Sequence, residues 1–386
     1  MMIKIGRSDL AGEGSLRLGA PRPRIHATFR AERLDLTEFI PAPAPAPRGS
    51  RLFSRTPLAL SALTKFDLAG SVKVAAFKTH GLALEQIDAR ADLTAGTFKL
   101  APMSANFAGG KLDLALDLIT GRTPRVEIDL RGLDIVPAKL PQFAGKGVIE
   151  RGLTDFQFTL AGTGDSIAEL MGNGNGRLLM KVGSALLPNA ANTAGTGLLL
   201  GTLNGLNPLA SKDKSTKLEC AVLNFDIHNG LASSEHGLAL RTDKLNVLGG
   251  GNIDLKTERI DLGAKPKPRE GIGVNLAALG DFVRLGGTLS APTPVTDTAG
   301  AATAGIKVGA ALATGGLSLL AEGLFDRATS DDDVCAIAAG DELAAQQTRA
   351  APVEKTVLGT AADTTKGAVD SVGRALKGAF RGLFGK

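Results

Sequence analysis

The sequence predicts a mainly β protein: an elongated, curved antiparallel sheet that forms a groove from repeated hairpins, with a few short helices and a helical C-terminal segment. Two observations lead to this fold class. Apolar and polar residues alternate through most of residues 1–300, and the alternating segments are short and bounded by Gly, Pro, Asn or Asp. Such a pattern is typical of antiparallel strands with one apolar and one polar face.

The clearest predicted strand pair lies at 111–118 and 126–130. In the first segment, KLDLALDL, four leucines alternate with residues that include Asp113 and Asp117, and the second segment, VEIDL, repeats the pattern after a turn at 120–124. These two segments predict a hairpin. The same signature recurs at 71–76, 156–160, 178–182, 218–222, 238–242, 252–255 and 259–262.

An internal repeat supports a sheet that grows by adding hairpins. The residues at 23–25 and 34–36 are echoed at 124–126 and 133–135, an offset of roughly one hundred residues. We therefore divide the chain into 1–40, a partial β repeat; 41–50, a Pro/Ala linker or loop; 51–150, a β repeat; 151–298, a β region with short helices at 165–171 and 186–209; 299–350, a helical segment; and 351–386, a basic amphipathic tail.

Two features mark the predicted helices. Ser166 and Glu169 have the spacing of a capping box at the start of 165–171. An acidic start at 331–333 predicts a short helix through Ala339. The apolar window 305–325 is long enough for a membrane span, but its Gly and Ala content gives weak hydrophobicity and favours a packed or interfacial helix.

The charge distribution excludes one broad class of partner. Lys and Arg number 44 and Asp and Glu number 39, for a net charge of +5. Five basic residues and one acidic residue at 366–386 give that stretch +4, which leaves 39 basic and 38 acidic groups in the rest. A nucleic-acid binder spreads cations over a face to neutralise phosphates. We therefore expect no nucleic-acid partner.

We also predict no catalytic or metal site and no cofactor. The four His and two Cys lack metal-ligand spacing. The glycine-rich stretch 172–176 lacks the Lys-Ser/Thr of a phosphate loop, and no serine is placed in a nucleophile elbow. The protein is therefore expected not to be an enzyme.

Cysteine spacing and the N-terminus leave the compartment open. Cys220 and Cys335 are compatible with one disulfide in an oxidising compartment or two buried thiols in a reducing one. Met1 is followed by a polar, strand-like stretch with no apolar segment or cleavage site, so we expect no signal peptide.

The apolar strand face is the most informative feature. It can be covered by folding two sheet halves into a sandwich, or it can line a trough open to a ligand. The nearly all-aliphatic lining without convergent polar groups favours a hydrophobic partner such as an acyl chain. The groove candidates are Val72, Val74, Leu112, Leu114, Leu116, Leu118, Val126, Ile128, Leu130, Phe156, Phe158, Leu238, Leu240, Ile253, Leu255, Ile260 and Leu262.

The tail extends the lipid hypothesis. Apolar residues fall at helical spacing there, and basic residues lie largely elsewhere on the wheel, as in helices that bind anionic membrane surfaces. A frayed solubilising tail is the alternative, because several glycines weaken the helix. The membrane-surface candidates are Val372, Arg374, Leu376, Lys377, Phe380, Arg381 and Leu383.

Two long stretches resemble the AsmA family of Gram-negative envelope proteins. They are 51–118, which begins RLFSRTPLALSALTKFDLAG, and 216–294, which includes KLECAVLNFDIHNG, LNVLGGGNIDLKTERIDL and LGGTLSAPTP. The resemblance implies a periplasmic, groove-shaped β protein active in outer-membrane biogenesis. For the wider group that includes TamB-like proteins, it implies bridge-like phospholipid transport.

The resemblance has further implications for this chain. Family members are normally anchored to the inner membrane by an N-terminal helix, so a chain without anchor or signal peptide is expected to be a C-terminal portion. The family context also favours a Cys220–Cys335 disulfide that pins the helical segment onto the sheet. The implied partners are phospholipid or another acyl lipid, a membrane surface and other envelope proteins. The alternative is a structural or protein-binding scaffold that assists outer-membrane protein assembly without lipid transport.

Overall fold

The described part of the protein is a single long, open and curved β-sheet. A computed structural model describes residues 2–19, 21–40, 51–140, 150–188, 215–243, 245–269, 283–295 and 333–340. The chain divides into two compact units, Met1–Thr348 and Arg349–Lys386, and every described residue belongs to the first. The expected mainly β, antiparallel fold class is confirmed.

The sheet has eighteen strands in the described residues. They are β1 (Met2–Ile5), β2 (Ser8–Arg17), β3 (Arg24–Asp35), β4 (Asp67–Thr79), β5 (Leu82–Thr94), β6 (Thr97–Phe107), β7 (Gly110–Ile119), β8 (Arg125–Ile135), β9 (Glu150–Arg151), β10 (Thr154–Thr163), β11 (Asn175–Val182), β12 (Ala185–Pro188), β13 (Ser215–His228), β14 (Leu231–Thr242), β15 (Leu245–Asp254), β16 (Arg259–Pro268), β17 (Val283–Thr288) and β18 (Ala291–Val295).

Strands that follow one another in the chain are neighbours in the sheet. The pairing runs from β1 to β8 in order, then through β10, β11 and β13, and in order from β13 to β18. The segments β11 and β12 pair with 221–227 and 215–218 of β13, respectively, so they act as one interrupted strand. No pairing between β1 and β18 closes the sheet within the described ranges.

One pair of neighbours departs from the predicted antiparallel hairpins. β3 and β4 are parallel, with Arg24 opposite Asp67 and Asp35 opposite Lys78. A parallel pair needs a crossover connection, because the chain must return to the end where it started. The described residues 36–40 and 51–66 belong to this connection.

The described residues contain two short α-helices, one between strands and one after the last strand, and side chains cap both. α1 (Ile167–Gly172) begins after Ser166, whose hydroxyl accepts the backbone N–H of Glu169. The Glu169 carboxylate accepts the backbone N–H of Asp165. Backbone N–H groups before and after the cap residue Ser166 therefore both have a side-chain acceptor. α2 (Val334–Ala339) begins after Asp333. Two 3-10 turns lie at Leu60–Thr64 and Pro137–Lys139.

The β13–β14 turn has the sequence that a tight hairpin requires. Asn229 and Gly230 both have positive φ, at 49° and 77°. A two-residue turn with positive φ at both positions matches the twist of the flanking strands, and Asn-Gly adopts it at low cost.

The helix predicted at 186–209 is wrong at its start. Residues 185–188 form β12, in which Leu186 pairs with Lys217 and with Glu150. Backbone hydrogen bonds on both sides hold this segment extended, which the local apolar pattern could not reveal. Residues 189–209 lie outside the described residues.

A disulfide joins α2 to the sheet. Cys335 of α2 is bonded to Cys220 of β13. α2 packs against Val222, Ala239 and Leu248, and Leu248 is 0% exposed beneath it. The Asn224 amide also donates a hydrogen bond to the carbonyl of Ala338 at 3.0 Å.

We predict that α2 depends on this disulfide for its position. Replacing both cysteines by alanine should lower the free energy of unfolding by about 2–5 kcal/mol, because a link between distant chain positions restricts the unfolded state. Denaturant unfolding measures the change, and the wild-type protein under reductant is the matched control. Two alkylatable thiols in the native, unreduced protein would contradict the bridge.

Candidate functional site

All the sequence-predicted groove residues lie on one side of the sheet. Leu114 of β7 pairs with Leu130 of β8, which pairs with Phe158 of β10. Directly paired residues point to the same side of a sheet, and successive residues of a strand alternate between sides. By this rule the other candidates within strands lie on the same side as Leu114. Leu255, just after β15, packs into the same surface beside Ile227 and Ala232. We call this side the apolar face.

The apolar face also includes residues that were not among the groove candidates, although their strands were predicted. Register adds β11 and β13, where Leu178 pairs with Phe225 and Met180 with Leu223. These residues follow the same alternation as the predicted ones, so the period-two signal was present there. The further residues on this face include Leu68, Met103, Leu160, Leu178, Met180, Leu223, Phe225, Ile227 and Val247.

Exposure of the apolar face changes along the strands. Leu112, Leu114 and Leu116 of β7 are partly exposed, whereas Leu118 at the end of the strand and Val126 opposite it are each 8% exposed. All described strands belong to one sheet, and each hydrophobic cluster on the apolar face joins only neighbouring strands, with α1 or residues 51–64 added at one end. No cluster among the described residues packs one half of the sheet onto the other. The trough arrangement therefore fits the described residues and the two-sheet sandwich does not.

The buried end is covered by the chain that returns from β3 to β4. We call residues 51–64 the strap. Leu58, Leu60 and Leu63 of the strap pack with Leu118 and Val126. The strap was not predicted, although its apolar residues, spaced between two repeats, were a usable signal.

The strap also covers the apolar face further along the same end. Phe53 packs against the cluster that contains Leu160, Phe225 and Ile227, and Leu170 of α1 joins the cluster around Leu118. The polar residues of the strap point outward and are exposed. The strap is therefore amphipathic, with its apolar side on the sheet.

A buried carboxylate fixes the beginning of the strap. Glu258, in the β15–β16 turn, is 2% exposed and accepts the backbone N–H groups of Leu52 at 2.6 Å and Phe53 at 2.9 Å. A hydrogen bond to a charged acceptor is stronger than a neutral one. Because Glu258 lies 206 and 205 positions from Leu52 and Phe53, local sequence patterns could not reveal this contact.

Backbone hydrogen bonds fix the middle of the strap to α1. The N–H of Leu58 donates to the carbonyl of Asp165 at 2.7 Å, and the N–H of Ala168 donates to the carbonyl of Ser54 at 2.9 Å. The strap is thus bonded to two separate turns of the sheet.

The opposite side of the sheet, the polar face, carries paired charges. Asp113 of β7 lies opposite Arg131 of β8, and Lys73 of β4 bonds Asp88 of β5 at 2.7 Å. The hydrogen bond from Lys73 lowers the pKa of Asp88 below its ordinary value. A lowered carboxyl pKa stabilises the fold above the unfolded-state pKa, and this contribution is lost as the pH falls through the folded-state value. Exposed pairs of this kind add little stability but keep the face hydrated.

A shallow depression on the polar face is lined by carboxylates, of which Glu127 and Asp129 are ion-paired. Its volume is about 400 Å³, and its lining includes Asp117, Glu127 and Asp129. Glu127 and Asp129 form ion pairs with Arg125 and Arg131 of their own strand. This is the pattern of a solvated strand surface.

The α2 helix covers an apolar patch on the otherwise polar face. Val222 and Leu248 alternate with residues of the apolar face, so they point to the opposite side, and Leu179 lies there as well. These side chains form an apolar patch that α2 covers, with Val334 at 0% exposure. The disulfide thus holds α2 on the polar face and leaves the apolar face untouched.

The described residues contain no group of three or more His, Cys, Asp or Glu side chains arranged to hold a metal ion. No described helix is long and apolar enough to cross a membrane. The membrane-surface candidates of the tail, the linker at 41–50 and the apolar window 305–325 lie outside the described residues and stay predictions.

Comparison with known proteins gives two matches. A model of the AsmA family matches residues 5–236. The chain is also similar to the AsmA family protein YhjG of Escherichia coli strain K12, with 22% identity over 345 residues, which cover 82% of this chain and 47% of that protein. The chain thus spans about half the length of the curated relative it matches. No solved structure matches the chain.

We predict that Glu258 holds the strap on the sheet. In Glu258→Ala the N–H groups of Leu52 and Phe53 lose their acceptor, so the free energy of unfolding should fall by about 1–3 kcal/mol. Trypsin should also cut faster after Arg51 and Arg55. Glu235→Ala, which removes an exposed carboxylate from β14, is the matched control. Equal effects of the two substitutions would contradict this role.

Proposed function

The chain belongs to the AsmA family, and from this premise we propose that it is a non-enzymatic periplasmic protein that binds phospholipid acyl chains along its apolar face. Family membership suggests an envelope-related function. In the proposal, the sheet carries phospholipid in bridge-like transport during outer-membrane biogenesis, and its partners are the lipid, a membrane surface and other envelope proteins.

The observation that carries the proposal is the continuous apolar face of an open sheet. Register aligns aliphatic and aromatic side chains from β4 to β16 on one side, and the central ones, such as Leu114 and Leu116, are partly exposed. Towards both sides of the sheet the face is buried, as at Val74, Leu240 and Ile260, so the accessible part is the central one. Contiguous apolar surface that stays accessible on a folded protein marks a hydrophobic partner. Each acyl methylene removed from water contributes about 0.8 kcal/mol.

The chemistry of the face suits chains better than head groups. The named lining residues are Leu, Ile, Val, Phe and Met, which supply no hydrogen-bond donor or acceptor from their side chains. Such a surface recognises hydrocarbon length and shape. A charged head group would lose its hydration there without a compensating bond, so it is expected at the open side or an end of the trough.

The disulfide supports a periplasmic location. Bonds such as Cys220–Cys335 form and persist in oxidising compartments, including the bacterial periplasm, and are rare in the cytosol. Its place between a strand and α2, on the side of the sheet opposite the apolar face, is that of a structural bridge.

We predict that carboxylates introduced on the apolar face lower lipid binding more than they lower the stability of the fold. The double substitution Leu114→Asp with Leu116→Asp should lower co-purified phospholipid by about tenfold or more, because a carboxylate beside a hydrocarbon chain is poorly solvated. Native mass spectrometry of detergent-free protein measures the lipid. Denaturant unfolding measures stability, which should fall less than for a closed core.

The matched control places the same charges on the polar face. Ile119 and Leu133 are exposed there, 49% and 52%, at the ends of β7 and β8. Ile119→Asp with Leu133→Asp should leave lipid content unchanged. Persistent absence of lipid from the unmodified protein would contradict acyl-chain binding and favour the scaffold role. Unfolding of only the Leu114 and Leu116 variant would indicate a closed core.

A further inference from the structure

The strap occupies part of the surface that the proposed function assigns to lipid. We propose that it is a stop for acyl chains: a bound lipid lies with its terminal methyl groups against the strap and its head group away from it. This inference rests on the proposed function and adds the direction in which the lipid lies.

The contacts of the strap show that it fills the trough at this end. Leu58, Leu60 and Leu63 pack on Leu118 and Val126, where an acyl chain would otherwise lie. Those two residues are 8% exposed, whereas Leu112, Leu114 and Leu116 on the same face remain partly exposed. Along β7 and β8 the accessible hydrocarbon surface therefore ends where the strap begins.

The contacts of the strap place it on the sheet along one end of the strands. Phe53 is bonded to the β15–β16 turn, Leu58 is bonded to the chain before α1, and Leu63 packs on β7 and β8 before the chain enters β4 at Asp67. The strap therefore covers this end of the apolar face from β15 to β7.

The strap is fixed firmly enough to act as a stop. The Glu258 carboxylate binds two of its N–H groups, and backbone bonds tie Ser54 and Leu58 to the chain around α1. A buried charged acceptor is costly to leave unpaired, so the beginning of the strap resists displacement by lipid.

The polarity of the covered end sets the orientation of the lipid. A head group placed beside Leu118, Val126 and Phe53 would lose its hydration against hydrocarbon side chains. A terminal methyl group meets the same residues without loss of hydration. Of the two orientations along the trough, the one with methyl groups at the strap is favoured.

Photo-crosslinking of the unmodified full chain tests this orientation. Two phosphatidylcholines are compared, one with a diazirine near the chain methyl and one with a diazirine near the ester. The methyl-end probe should label peptides from residues 51–64 and α1, and the ester-end probe should not. Equal labelling of the strap by both probes, or preferential labelling by the ester-end probe, would overturn the stop.

A strap variant supplies the second measurement. Leu58→Ala with Leu60→Ala shortens the side chains that fill the end, and labelling by the methyl-end probe should shift from the strap to β7 and β8. Leu52→Ala, at a strap residue that is 62% exposed, is the matched control and should not shift the labels. Unshifted labels in a folded Leu58 and Leu60 variant would overturn the stop.

The outcomes separate the two proposals. If neither probe labels the protein and no lipid co-purifies, the proposed function is wrong, and the proposal of an acyl-chain stop is wrong as well. If lipid binds and charge at Leu114 and Leu116 removes it, but the two probes label alike, only the stop is wrong.

Discussion

Strand register is the constraint on which the rest of the structure depends. Leu114, Leu130 and Phe158 face one side only because their three strands are aligned as they are, and Asp113 and Arg131 then face the other. A slip of one residue would exchange the sides for a whole strand. Such a slip would put carboxylates among the leucines, so burial on one face and ion pairing on the other both hold the register.

The parallel pairing of β3 and β4 also determines how the rest of the chain covers the sheet. Because β3 and β4 run the same way, the chain must return to the end of the sheet where β4 begins, and the described part of the returning segment supplies the strap. One topological exception thus closes an end that antiparallel hairpins alone would leave open. The Glu258 contacts make the arrangement specific, whereas the Cys220–Cys335 disulfide secures α2 on the other face and leaves the trough unaffected.

Features that depend on local pattern could be predicted from the sequence. Period-two alternation located the strands and the apolar face, and Ser166 with Glu169 located the start of α1. Features set by distant contacts could not. The β3–β4 parallel pairing, the strap on Glu258 and the extended backbone at Leu186 each depend on residues that lie far away in the chain or on the return path of the backbone. The patch under α2 was equally hidden, because Val222 and Leu248 occupy polar-face positions.

The central claim is that the apolar face, and not another surface, meets acyl chains. Methyl NMR of Leu- and Val-labelled protein with a phospholipid that carries a nitroxide in its acyl chain tests it most directly. The methyl signals of Leu112, Leu114 and Leu116 should broaden, while those of Leu179 and Leu248, beneath α2 on the polar face, should stay sharp. Equal broadening of both sets, or broadening of neither, would contradict the account.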